Sequence, residues 1–114
     1  MTAAVANRRR SRRAPLKQMV RLECRKGTLG LGKNLAVAAL DLSETGVRVL
    51  LSDTVSPGQE VEVLLSGIGH AKATRRVGRV VWAVATADHL VGVGIAFEKA
   101  LPYVDVQRLH RPLA

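Results

Sequence analysis

Asp88 to Glu98, "DHLVGVGIAFE", alternates along its length. Val91, Val93, Ile95 and Phe97 fall on one face, and Gly92 and Gly94 on the other. A period of two built from branched and aromatic residues predicts a strand with one buried face. Glycines on the opposite face predict close approach there, or a local twist.

The same pattern recurs upstream. Thr74 to Ala85, "TRRVGRVVWAVA", reads as a long strand with Val77, Val80 or Val81, and Trp82 as core candidates; Gly78 suggests a bulge or bend. "QEVEVLLS", after the turn signal Pro57-Gly58, places Val61, Val63 and Leu65 opposite Glu60, Glu62 and Leu64. "GVRVLLS" from Gly46 and "NLAVAALDLS" from Asn34 make two more strands. "LKQMVRLEC" makes the first, with Leu16, Met19 or Val20, Leu22 and Cys24 towards one side. After Pro102, "YVDVQRLH" predicts a short helix or helical turn.

Six strands with frequent turns and almost no helix predict an all-β fold, a six-stranded antiparallel β-barrel. Closure is favoured over an open sandwich because so small a sheet otherwise leaves exposed edges. The chain then divides into a flexible tail at residues 1–7 and a single domain at 8–114, with an arm at 8–15, the barrel at 16–99 and a C-terminal segment at 100–114.

Composition narrows the function. With 47% apolar residues in 114, the chain can bury a core. Its longest apolar stretches, such as Leu35 to Leu40, are too short to span a bilayer. The start, "MTAAVANRRR", puts its charge after a weak apolar stretch, the reverse of a secretory signal, so a cytoplasmic protein is expected. The net charge is +9, and residues 1–33 hold ten Lys/Arg against the single acid Glu23. From residue 34 onward eight Lys/Arg balance eight acids. The excess sits at one end, which predicts an anionic partner met there.

Several motifs dissolve on inspection. Gly27 to Lys33, "GTLGLGK", has the spacing of a phosphate loop, but Asn34 stands where Ser or Thr would hold magnesium. No helix pattern comes after it, so it is read as a hairpin turn. Ser43 has no histidine nearby in sequence, and "LSETG" is not a nucleophile elbow; no enzyme is predicted. His70, His89 and His110 lie too far apart for a metal cage, and no metal or cofactor is expected. Cys24 reads as a small buried hydrophobe. The three aromatics Trp82, Phe97 and Tyr103 are too few to stack single-stranded bases. Nucleic acid, or another polyanion held by the basic arm, is therefore the secondary reading.

What remains is "RRRSRR" at Arg8 to Arg13 and "DLSETG" at Asp41 to Gly46. A carboxylate accepts two parallel N–H donors, as guanine's N1–H and exocyclic amine present them. Ser43 adds a short hydroxyl, and Gly46 permits a tight turn or close backbone approach. Arginine supplies a fork for guanine or phosphate and a flat face for stacking. Together they describe a site for a ligand both guanine-like and anionic.

At these residues the chain resembles the PilZ domain, the bacterial receptor module for cyclic di-GMP, with its R-x-x-x-R arm and its [DN]-x-S-x-x-G turn on a six-stranded barrel. "RVVW" at Arg79 to Trp82 and "GVGIAF" at Gly92 to Phe97 look like the family's late strands, so the likeness runs over about residues 7–100. The resemblance implies a second-messenger receptor in which Arg9 and Arg13 clamp guanine edges and phosphates. Asp41 and Ser43 would hold another guanine and its phosphate, with Gly46 keeping the turn close. Arg8 and Arg12 share the spacing, but "RRAP" matches the family's arginine before a small residue and proline, which favours Arg9 and Arg13. Arg8 would then stack on a further guanine. Arg10, Arg12, Arg75, Arg76 and Arg79 stay unassigned. The arm is expected to order over the ligand and signal to a downstream protein.

Overall fold

The computed structural model describes residues 14–15, 21–66, 73–86 and 88–109. Its strands are β1 (Ala14–Pro15), β2 (Arg21–Lys26), β3 (Ala36–Leu42), β4 (Gly46–Leu51), β5 (Glu60–Ser66), β6 (Thr74–Ala85) and β7 (Val91–Phe97), and the chain ends in helix α1 (Tyr103–Leu109). All pair antiparallel in one sheet, ordered β1-β3-β4-β7-β6-β5-β2. The six long strands curl into a nearly closed barrel, and the two-residue β1 is added along β3.

Alternation along each strand is what fills the barrel. Val47, Val49 and Leu51 of β4, Val61, Val63 and Leu65 of β5, and Val91, Val93 and Ile95 of β7 all point inward and are buried. Leu22 and Cys24 of β2 join them, as do Leu101 and Val106 from the C-terminal segment and α1. Leu16, Met19 and Val20, also expected in the first strand, lie outside the described residues.

Closure depends on Asn34. Leu35 N–H donates to Cys24 O at 2.8 Å, linking β2 to the start of β3. The Asn34 side-chain Oδ1 accepts from Cys24 N at 2.9 Å and from Ala36 N at 3.0 Å, so one amide bridges the two strands where the ladder is lacking. Residues 27–33 form a bend-rich loop, with Gly27 and Gly30 at φ 82° and 68°. The loop is not the hairpin turn expected, because the ladder partner of β2 is β5, not β3. The loop leads from the end of β2 to the start of β3 across the barrel's seam. Arg25 Nε on Gly32 O at 2.9 Å and Arg75 Nη2 on Thr28 O at 2.6 Å hold it in place.

Two expectations for β6 are corrected. Gly78 is not a bulge: it pairs regularly with Val61 and Phe97. A side chain there would meet Ile95 Cγ2 at 2.5 Å, so the glycine answers to packing. The bulge falls between Val80 and Trp82, turning Val80 inward and leaving Val81 exposed. The slip also sends Trp82 to the outside, so it is not a core residue.

Among the described residues, no helix is long and apolar enough to cross a membrane.

Candidate functional site

The segment Asp41 to Gly46 closes the β3–β4 connection. Ser43 N–H donates to Gly46 O at 2.9 Å and makes the turn tight. The Ser43 hydroxyl accepts from Thr45 N at 3.3 Å and lies 3.4 Å from Gly46 O, so this buried side chain supports the turn itself. Gly46 is required by contact. A Cβ there would run into the carbonyl oxygen of Ile95 on β7, which is fixed backbone. The turn is also tied to the end of β7 and the segment beyond it: Phe97 N–H donates to Thr45 O, and Leu101 N–H to Glu44 O, each at 2.8 Å.

Asp41 is buried at 5% exposure, although it faces outward from β3. Its cross-strand partner is Arg48 on β4. Arg48 Nε donates to Asp41 Oδ2 at 2.5 Å, and Nη2 donates to the same oxygen. The hydrogen bond from the guanidinium to the carboxylate raises the pKa of Arg48 above its ordinary value, outweighing the effect of its partial burial. Arg48 is a site residue that the motif did not reveal. The signal was present, since two positions placed about equally on either side of a tight antiparallel turn face each other.

The row continues around the barrel. Arg48 pairs with Gly94 on β7, and Gly94 with Trp82 on β6. The indole lies across Gly94, where any larger residue would collide with Nε1 and Cε2. Asp41, Arg48, Gly94 and Trp82 thus form one lateral line on the outer face: a carboxylate, a guanidinium, a gap and an aromatic plate. A purine can be recognised by such a line through its edge, its charge partner and its face.

A second line, Gly46, Ala96, Arg79 and Glu60, runs beside it. It borders a shallow recess lined by Glu60, Gly78, Arg79, Ala96, Phe97 and Glu98. The β6 arginines are engaged with the protein. Arg75 pairs with Glu62, and Arg79 Nη2 lies 3.6 Å from Glu60. Arg76 Nη2 donates to Ala100 O at 3.3 Å.

Of the residues expected from sequence, Asp41, Ser43 and Gly46 are brought together at one turn. Arg8, Arg9 and Arg13, with Arg10 and Arg12, lie outside the described residues. Their chain neighbour is placed, however. Ala14, next after Arg13, stands opposite Leu42, and Pro15 opposite Asp41. Among the described residues no cluster of His, Cys, Asp or Glu could hold a metal.

Comparison with known proteins bears on this arrangement. The family model described as "PilZ domain" matches residues 7–113. Two solved structures are similar, each at 17% identity and a TM-score of 0.57, and each covering 89% of this chain. One is the K. pneumonia MrkH–c-di-GMP complex, of which 48% is covered. The other is the PilZ domain, with c-di-GMP, of YcgR from Escherichia coli, of which 87% is covered. The chain therefore spans about half the length of MrkH. A search of curated protein sequences found no match.

Proposed function

Since this chain belongs to the PilZ domain family, we propose that it is a receptor for cyclic di-GMP, without catalytic activity of its own. The observation that carries the proposal is the pairing of Ala14–Pro15 with Leu42 and Asp41. Arg13 precedes Ala14 in the chain, so this pairing anchors the segment that carries the arginine run beside the D-x-S-x-x-G turn, which supports a guanine-and-phosphate site drawn from both. That MrkH and YcgR are seen with c-di-GMP on the same fold supports the reading.

In this mechanism Arg9 and Arg13 grip guanine edges and phosphates, and Arg8 stacks on a further base. Asp41 accepts the Watson–Crick donors of a guanine, Ser43 and Gly46 shape the turn beneath it, and Trp82 offers an aromatic face in the same row. The arm at 8–15 folds over the barrel at 16–99 as ligand binds, and the new surface is read by a cytoplasmic protein partner.

Isothermal titration of the full chain with cyclic di-GMP, GMP and GTP tests this. Cyclic di-GMP should bind in the low-micromolar range, about 8 kcal/mol, and be preferred at moderate salt. Asp41→Ala and Arg13→Ala should each remove most of that affinity. If both variants bind like the parent, the site is misassigned. Binding that falls steeply with salt and ignores the guanine dinucleotide would instead mark a polyanion binder.

A further inference from the structure

The ion pair between Asp41 and Arg48 bears on which guanine ligands the site admits. Both nitrogens that Arg48 presents end on one oxygen, Oδ2. A carboxylate oxygen has two lone-pair sites, so this contact fills Oδ2. A guanine bound through N1–H and its exocyclic amine needs one acceptor site on each oxygen of the same carboxylate. The guanine edge and the guanidinium therefore compete for Oδ2.

The Asp41 side chain is 7% exposed and that of Arg48 is 43% exposed. Of the pair, the guanidinium is thus the more open to a ligand arriving from solvent. On its other side Arg48 faces Gly94, which has no side chain to receive a displaced guanidinium. The row runs on from Gly94 to Trp82, so no second carboxylate stands along it, and a ligand phosphate can serve as the replacement anion.

We propose that Arg48 is a specificity-determining residue, which occupies Asp41 until a ligand brings a guanine edge and a phosphate together. This rests on the cyclic di-GMP reading above and deepens it. A guanosine takes Oδ2 and brings no anion for the guanidinium. A guanine nucleotide takes Oδ2 and gives Arg48 a phosphate oxygen, exchanging one charge-assisted contact for another. The site thereby discriminates against the bare nucleoside with a residue that belongs to neither motif.

The experiment is a calorimetric comparison of cyclic di-GMP and guanosine on the full-length wild type, Arg48→Gln and Arg48→Lys. Wild type should favour cyclic di-GMP strongly. In Arg48→Gln that preference should shrink by about tenfold or more, with guanosine binding better than to wild type and cyclic di-GMP worse. Arg48→Lys keeps the charge but not the two-nitrogen grip, and should fall between. A purely structural role would weaken both ligands by the same factor and leave the ratio unchanged; that outcome overturns the proposal. So does an Arg48→Lys ratio equal to wild type with Arg48→Gln unfolded. Absence of cyclic di-GMP binding by wild type overturns the receptor reading itself, which separates the two failures.

Discussion

The indole of Trp82 lies across Gly94, with Nε1 too close to admit the Cβ of any other residue at 94. Trp82 is the only tryptophan of the chain, so its emission reports on this contact alone. Gly94→Ala should push the ring outward, shift its fluorescence to the red and destabilise the fold by about 1–3 kcal/mol through overpacking. Fluorescence spectra and urea unfolding of the variant check both effects. An unchanged spectrum would show that the ring does not rest there.

Gly46 faces a harder obstacle. The atom in its way is the Ile95 carbonyl oxygen, part of a ladder that cannot yield as a side-chain tip can. Gly46→Ala should cost about 2–3 kcal/mol or more. The turn should open with it, so ligand affinity and the melting temperature fall together in calorimetry.

Asn34 tests barrel closure. Its Oδ1 accepts two backbone N–H groups, one on Cys24 and one on Ala36. Asn34→Ala should destabilise by about 1–3 kcal/mol, the cost of leaving those donors without their acceptor. Hydrogen exchange should quicken first at Cys24 and Ala36, while the β6–β7 amides hold.

Cys24 gives a pH signature. The thiol is fully buried, and desolvation pushes its pKa from 9.0 up to about 11, Arg25 pulling weakly the other way. Between those values the unfolded chain releases a proton that the folded chain retains, so stability falls as pH rises. The contribution is whole below pH 9.0 and gone near 11, at about 1.4 kcal/mol per pH unit. Cys24→Ala should flatten that part of the stability–pH curve. The native thiol should also resist alkylation at neutral pH until urea exposes it.

Much of the barrel is written in local pattern. Val91, Val93 and Ile95 alternate because a strand has a period of two, and the structure turns all three inward. The same holds for Val61, Val63 and Leu65, and the D-x-S-x-x-G turn can be recognised from residue type and spacing. Trp82 escapes such a reading because a bulge one residue upstream reverses the face of every later position in the strand, and a bulge has no period to detect. The loop at 27–33 escapes it for a related reason. Its glycines announce a turn, but which strand lies beside β2 in the sheet is a matter of pairing.

By itself the sequence determined which residues alternate, where the chain turns, and that its positive charge gathers in the first third. Those properties belong to neighbours along the chain, a few bonds apart. Only the tertiary structure decided that Arg48 grips Asp41, that Trp82 rests on Gly94, and that Ala14–Pro15 stands beside the turn. Each of these joins residues on different strands, and the register that aligns them is set by how the whole barrel closes around its core.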